Sequence, residues 1–148
     1  MMNKQFSLVQ ENIEKTEKAF VLLADSIHRI QPFDPSRSYS PEELEPYDAL
    51  SSRFERTVEI CIAKCFRSFE MYVDGISEGS IRDILLRMEK RGIILRSVDE
   101  WIGIRNLRNK IAHEYIPEER KEMYDIIIDF FPEIEGTLQR IKASITKT

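Results

Sequence analysis

Between Asn3 and Ile30 the chain contains neither glycine nor proline, and its apolar residues recur on one helical beat. Phe6, Val9, Ile13, Phe20, Leu23, Ile27 and Ile30 stand at intervals of three, four and seven. That spacing gathers them on one face of an α-helix and leaves the other face polar. A second run shows the same beat. From Ala49 to Ser77, the residues Phe54, Val58, Cys61, Cys65, Phe69, Tyr72, Val73 and Ile76 mark another apolar stripe. No stretch alternates with the period of two that a half-buried strand needs. The predicted class is all-α, an up-and-down bundle of four to six helices.

Turn-forming residues divide the bundle. The sequence "QPFDPSRSYSPEELEPYD", Gln31 to Asp48, holds four of the six prolines and reads as a connector with one short turn at "PEEL". Ser80 is placed to cap "IRDILLRMEKRG", and Gly92 to stop it. "IILRS" reads as a short link, after which Ser97 or Asp99 caps the next helix. Pro117 is expected to end that helix, because a proline disfavours helical geometry at the residue before it. A last helix from Glu118 to about Ile145 carries Pro132 in its middle, which is expected to kink or split it.

With 148 residues and 42% apolar side chains, one domain spanning residues 1–148 can bury a proper core. No uncharged run is longer than six residues, so no membrane span is expected. The first residues lack the apolar core of a secretion signal, and a cytoplasmic location is expected. Cys61 and Cys65 lie four apart on one helical face and read as small core residues. Metal binding would need two further ligands that the neighbouring sequence does not offer. His28 reads as structural.

The net charge of −4 disfavours nucleic-acid binding by the chain as a whole. Its distribution is uneven. Ser80 to His113 carries eight Lys/Arg against four Asp/Glu, while the rest of the chain is acidic. Either a local anion-binding surface or a solvated face accounts for that stretch.

The stretch with most chemistry is "RNLRNKIAHEY", Arg105 to Tyr115. On one continuous helix, Ile104, Leu107, Ile111 and Tyr115 form a core stripe. Arg105, Asn109 and His113 then fall in line beside it at i, i+4 and i+8. Arg108 lies at the border, roughly 7.5 Å of rise from His113. A guanidinium, an amide and an imidazole on one face suit metal-free cleavage of RNA. Arginine grips a phosphate and steadies charge on the phosphorane, and histidine moves a proton near neutral pH. One imidazole does not readily serve as both acid and base, so a twofold dimer would supply the second. A histidine near a helix C-terminus is also commonly a dipole partner without catalytic duty.

The segment "RNKIAHEY", Arg108 to Tyr115, carries R-x-x-x-x-H-x-Y, and in this it resembles HEPN-domain ribonucleases. Within them it is similar to the HepT-like toxins that pair with a small nucleotidyltransferase antitoxin of the MNT type. The resemblance implies that Arg108 and His113 are the catalytic pair and that Asn109 supports the site. It implies that Tyr115 receives AMP from the antitoxin. It further implies RNA as substrate, a homodimer with the site between protomers, and no cofactor in this chain, since ATP and magnesium would serve the partner. Helical extrapolation alone would make Tyr115 a core aromatic. Arg105 does not fit the motif spacing, and either contacts phosphate as well or pairs with a nearby carboxylate. Two rivals remain. One is a non-catalytic binding module that partners a nucleotidyltransferase. The other is a structural bundle whose polar face is a dimer seam.

Overall fold

The computed structural model describes residues 4–107 and 116–146. Helix α1 spans Lys4–Arg29. Helix α2, Pro41–Ile60, runs on through a wider π-helical turn at Cys61–Phe66 into α3, Arg67–Asp74, so that the three form one rod. Two short helices follow, α4 at Ile81–Lys90 and α5 at Val98–Arg105. Helix α6, Pro117–Thr146, completes the described chain. All the regular structure among the described residues is helical, as expected.

The long helices pack through the stripes read from the sequence. Val9, Ile13 and Leu23 of α1 are buried, with Phe6, Phe20 and Ile27 partly so. Helix α1 runs antiparallel to the α2–α3 rod. Asn12 donates to the Lys64 carbonyl at one end, and Arg53 donates to Leu22 and Ser26 at the other. Helix α6 is parallel to α2, since Arg120 meets Asp48 and Phe130 meets Phe54. The short helices α4 and α5 carry the chain back to make that possible.

The caps follow physical rule. Ser80 accepts from the Asp83 amide at 3.2 Å while Asp83 accepts from the Ser80 amide, a reciprocal box. Those bonds hold the Asp83 carboxyl below its ordinary pKa. Ser97, not Asp99, caps α5. Gly75 ends α3 with φ of 76°, three residues short of the expected end at Ser77.

Three expectations need correction. Helix α2 begins at Pro41, not Ala49. Ser40 and Glu43 form a second capping box, and Pro41 stands at the first turn, where its missing N–H costs nothing. Pro132 neither splits nor ends α6. Packing of Phe130, Ile134 and Leu138 against the core outweighs the lost backbone bond, and Arg96 supplies a donor to the Asp129 carbonyl in the same turn at 2.7 Å. The helix expected to run from residue 101 to 116 stops at Arg105, where Asn106 leaves helical geometry with φ of −98° and ψ of 8°. Ile116 is a bend outside helical geometry, as Pro117 after it requires, and Pro117 opens α6, one residue before the expected start at Glu118. His28 is exposed in the final turn of α1.

Trp101 and Glu133 join the short helices to α6. Trp101 is fully buried, edge-on to Phe130 at 5.0 Å and tilted against Phe66 at 5.6 Å. Glu133, also buried, accepts through one oxygen from the Trp101 indole at 2.9 Å and from the amides of Leu95 and Arg96 at 2.9 and 2.8 Å. Its other oxygen accepts from Arg140 at 3.2 Å. A buried carboxylate is tolerable when it is satisfied in this way.

The cysteines lie in the π-helical turn, fully buried. Burial pushes the Cys61 thiol well above its usual range and Cys65 up to about 12.

Candidate functional site

A groove of about 790 Å³ opens between α5 and the first half of α6. One wall is built by Glu100, Gly103 and Ile104 of α5, with Arg96 just before the helix and Leu107 just after it. Its α6 wall repeats at four and seven from Glu118 to Phe130. The floor is apolar, made by Ile104, Leu107, Ile126 and Phe130. Among the described residues the rim is acidic, made by Glu100, Glu118, Glu119, Glu122, Asp125 and Asp129 beside the cations Arg96 and Lys121.

Those cations are already engaged. Arg96 bonds Asp129 at 2.7 Å and lies 3.6 Å from Glu100, and Lys121 bonds Asp125 at 2.7 Å. Asp129 and Glu100 in turn hold Arg96 above its ordinary pKa, the hydrogen bond to Asp129 contributing most. Glu118, Glu119 and Glu122 have no ion pair among the described residues. They stand at i, i+1 and i+4, along the first turns of α6. Carboxylates there are favoured by the positive end of the helix dipole.

Arg105 turns away from this groove. It faces α2, lies 3.6 Å from Glu59, and lines a separate cavity of about 140 Å³. Of its two sequence readings, pairing with a carboxylate is the one seen. Arg108, Asn109, His113 and Tyr115 lie outside the described residues.

The basic stretch from Ser80 resolves differently from a phosphate-binding surface. Arg82 bonds Asp99, Arg87 grips the buried Glu70, Arg91 bonds Asp74, and Arg96 bonds Asp129. With Arg105 on Glu59, five of its arginines are held by carboxylates. Most of the local positive charge is spent inside the fold. The acidic groove, by contrast, went unread in the sequence. Its signal was the run "PEERKEMYD", which on its own looks like any solvated helix start.

The class of protein is therefore an all-helical bundle that presents an acidic, apolar-floored groove. The chain belongs to the family described as nucleotidyltransferase substrate binding protein like, whose model matches residues 11–143. This corrects the resemblance to HEPN ribonucleases and HepT-like toxins. That resemblance rested on a motif of three spaced residues in one short segment, whereas the family match covers nearly every helix of the core. Neither the curated proteins nor the solved structures contain a match to this chain. Among the described residues, no helix is long and apolar enough to cross a membrane.

Proposed function

We propose that the chain is a non-catalytic helical binding module that works beside a nucleotidyltransferase. Family membership over residues 11–143 carries this reading. The groove chemistry supports it. Six carboxylates around an apolar floor repel a polyphosphate backbone and suit a cationic or amphipathic guest. In this reading the module recruits or positions what the transferase modifies, and the transferase supplies the nucleotide chemistry.

The test is co-expression with each nucleotidyltransferase of the source genome, followed by affinity and size-exclusion purification. A stoichiometric complex with one of them is the expected result. Failure to form a complex with any of them refutes the reading. The rival is metal-independent cleavage of RNA by Arg108 and His113 in a twofold dimer. It is checked on the same preparation with cellular RNA and excess chelator. Cleavage by wild type that is lost in His113→Ala would show a ribonuclease and overturn the non-catalytic assignment.

A further inference from the structure

We propose that the groove between α5 and α6 is the docking site for a basic amphipathic helix of the partner nucleotidyltransferase. This rests on the functional reading above and adds where the partner binds and by what chemistry. The shape comes first. The α5 wall runs from Arg96 to Leu107 and the α6 wall from Glu118 to Phe130. At 1.5 Å per residue α5 is about 12 Å long and the α6 wall about 19 Å, roughly two and three and a half helical turns. The space between α5 and α6 is open enough to take the apolar ridge of a third helix. The floor of Ile104, Leu107, Ile126 and Phe130 offers apolar contact along that length, as helix-in-groove recognition requires.

Charge selects the occupant. Asp125 and Asp129 are neutralised by Lys121 and Arg96. Glu118, Glu119 and Glu122 have no partner of that kind among the described residues, and they line one edge. A guest with leucine-like residues at i, i+3, i+4 and i+7 and lysine or arginine beside them meets floor and rim together. An acidic helix or a nucleic acid would add charge of the same sign. A second copy of this chain is also poorly suited, because five arginines of its basic stretch are already bound to its own carboxylates.

The experiment uses three proteins: wild type, the groove variant E118Q/E119Q/E122Q, and the control E14Q/E89Q/E135Q. The control changes net charge equally at exposed sites elsewhere. Glutamine keeps helix propensity, and circular dichroism confirms that each protein is folded. The first probe is a synthetic Leu/Lys amphipathic peptide of about four turns, with a Leu/Glu peptide and an RNA oligonucleotide as comparisons. The Leu/Lys peptide is expected to bind wild type and the control alike, and the groove variant about tenfold more weakly. That binding should also fall when salt rises from about 0.05 to 0.5 M. Equal affinity for groove variant and control overturns the proposal, as does preference for the acidic peptide or for RNA. Concentration-dependent self-association lost only in the groove variant would make a second copy the occupant and also overturn it. The second probe is the purified complex. If it forms and the groove variant leaves its affinity unchanged, the docking site is wrong while the functional reading stands. If no nucleotidyltransferase binds, the functional reading fails, and the peptide result still decides the chemistry of the groove.

Discussion

Replacing Glu133 is the most searching perturbation of this fold. Its carboxylate holds four donors from three places: the amides of Leu95 and Arg96, the Trp101 indole and the Arg140 guanidinium. In Glu133→Ala all four lose their acceptor. The two connector amides can regain water by a small movement. The indole cannot, because Trp101 is fully buried. An unsatisfied buried donor costs about 1–3 kcal/mol, and breaking a buried charged pair about 3–5 kcal/mol. Since the Arg140 side chain is partly exposed, the lower half of that combined range applies, about 4–6 kcal/mol in total. Glu133→Gln retains an acceptor for the indole and the amides but turns an NH₂ toward Arg140, so about 1–2 kcal/mol is expected. Urea denaturation followed by tryptophan fluorescence measures both, and Trp101 is the sole reporter. A chain of this size loses about 2–4 °C of Tm per kcal/mol, so the alanine variant should melt roughly 10 °C lower or more. A double-mutant cycle with Trp101→Phe, followed by circular dichroism because that variant has no tryptophan, should return about 1 kcal/mol or more of coupling. Alanine costing under about 1 kcal/mol, or glutamine costing as much as alanine, would refute the account of Glu133 as the tie between the short helices and α6.

Two further outcomes are expected. The Cys61 and Cys65 thiols have pKa values raised by burial, so the unfolded chain ionises near pH 9 while the folded one does not. Below that pH they leave stability unchanged. Above it each thiol takes away about 1.4 kcal/mol per pH unit until the folded pKa is reached, near 12 for Cys65. A Cys61→Ala/Cys65→Ala protein should therefore show a flatter fall in stability between about pH 9 and 10.5, and an unchanged slope would refute this. Pro132→Ala restores a backbone donor within an unbroken helix and should stabilise by about 1–3 kcal/mol in thermal melts. Destabilisation would show that the proline ring itself is needed by the packing.

Much of the helical layout was legible in the sequence, because helix formation and capping are local. The stripe of α1, the box at Ser80, the cap at Ser97 and the stop at Gly92 all follow from residues within one or two turns of each other. The misreadings came where local rules compete. Pro41 and Pro132 were taken as breakers, yet one occupies a first helical turn and the other is held by core packing. Asn106 carries no strong breaking signal, so the end of α5 was not visible. The family was misjudged from Arg108, His113 and Tyr115 because a few spaced residues constrain far less than a match along the whole core.

What the sequence by itself determined is which faces are apolar, where the capped helices at Ser80 and Ser97 start, and that the chain forms a helical bundle. Tertiary structure alone decided how its charges are used. Arg87 meets Glu70 seventeen residues away, Arg96 meets Asp129 thirty-three residues away, and Trp101 meets Glu133 thirty-two residues away. The physical reason is that helical periodicity orients a side chain about its own axis. Which partner it faces depends on how the helices cross. That crossing consumes the basic stretch in internal pairs and leaves Glu118, Glu119 and Glu122 along an open groove, where the surface chemistry of this protein is acidic.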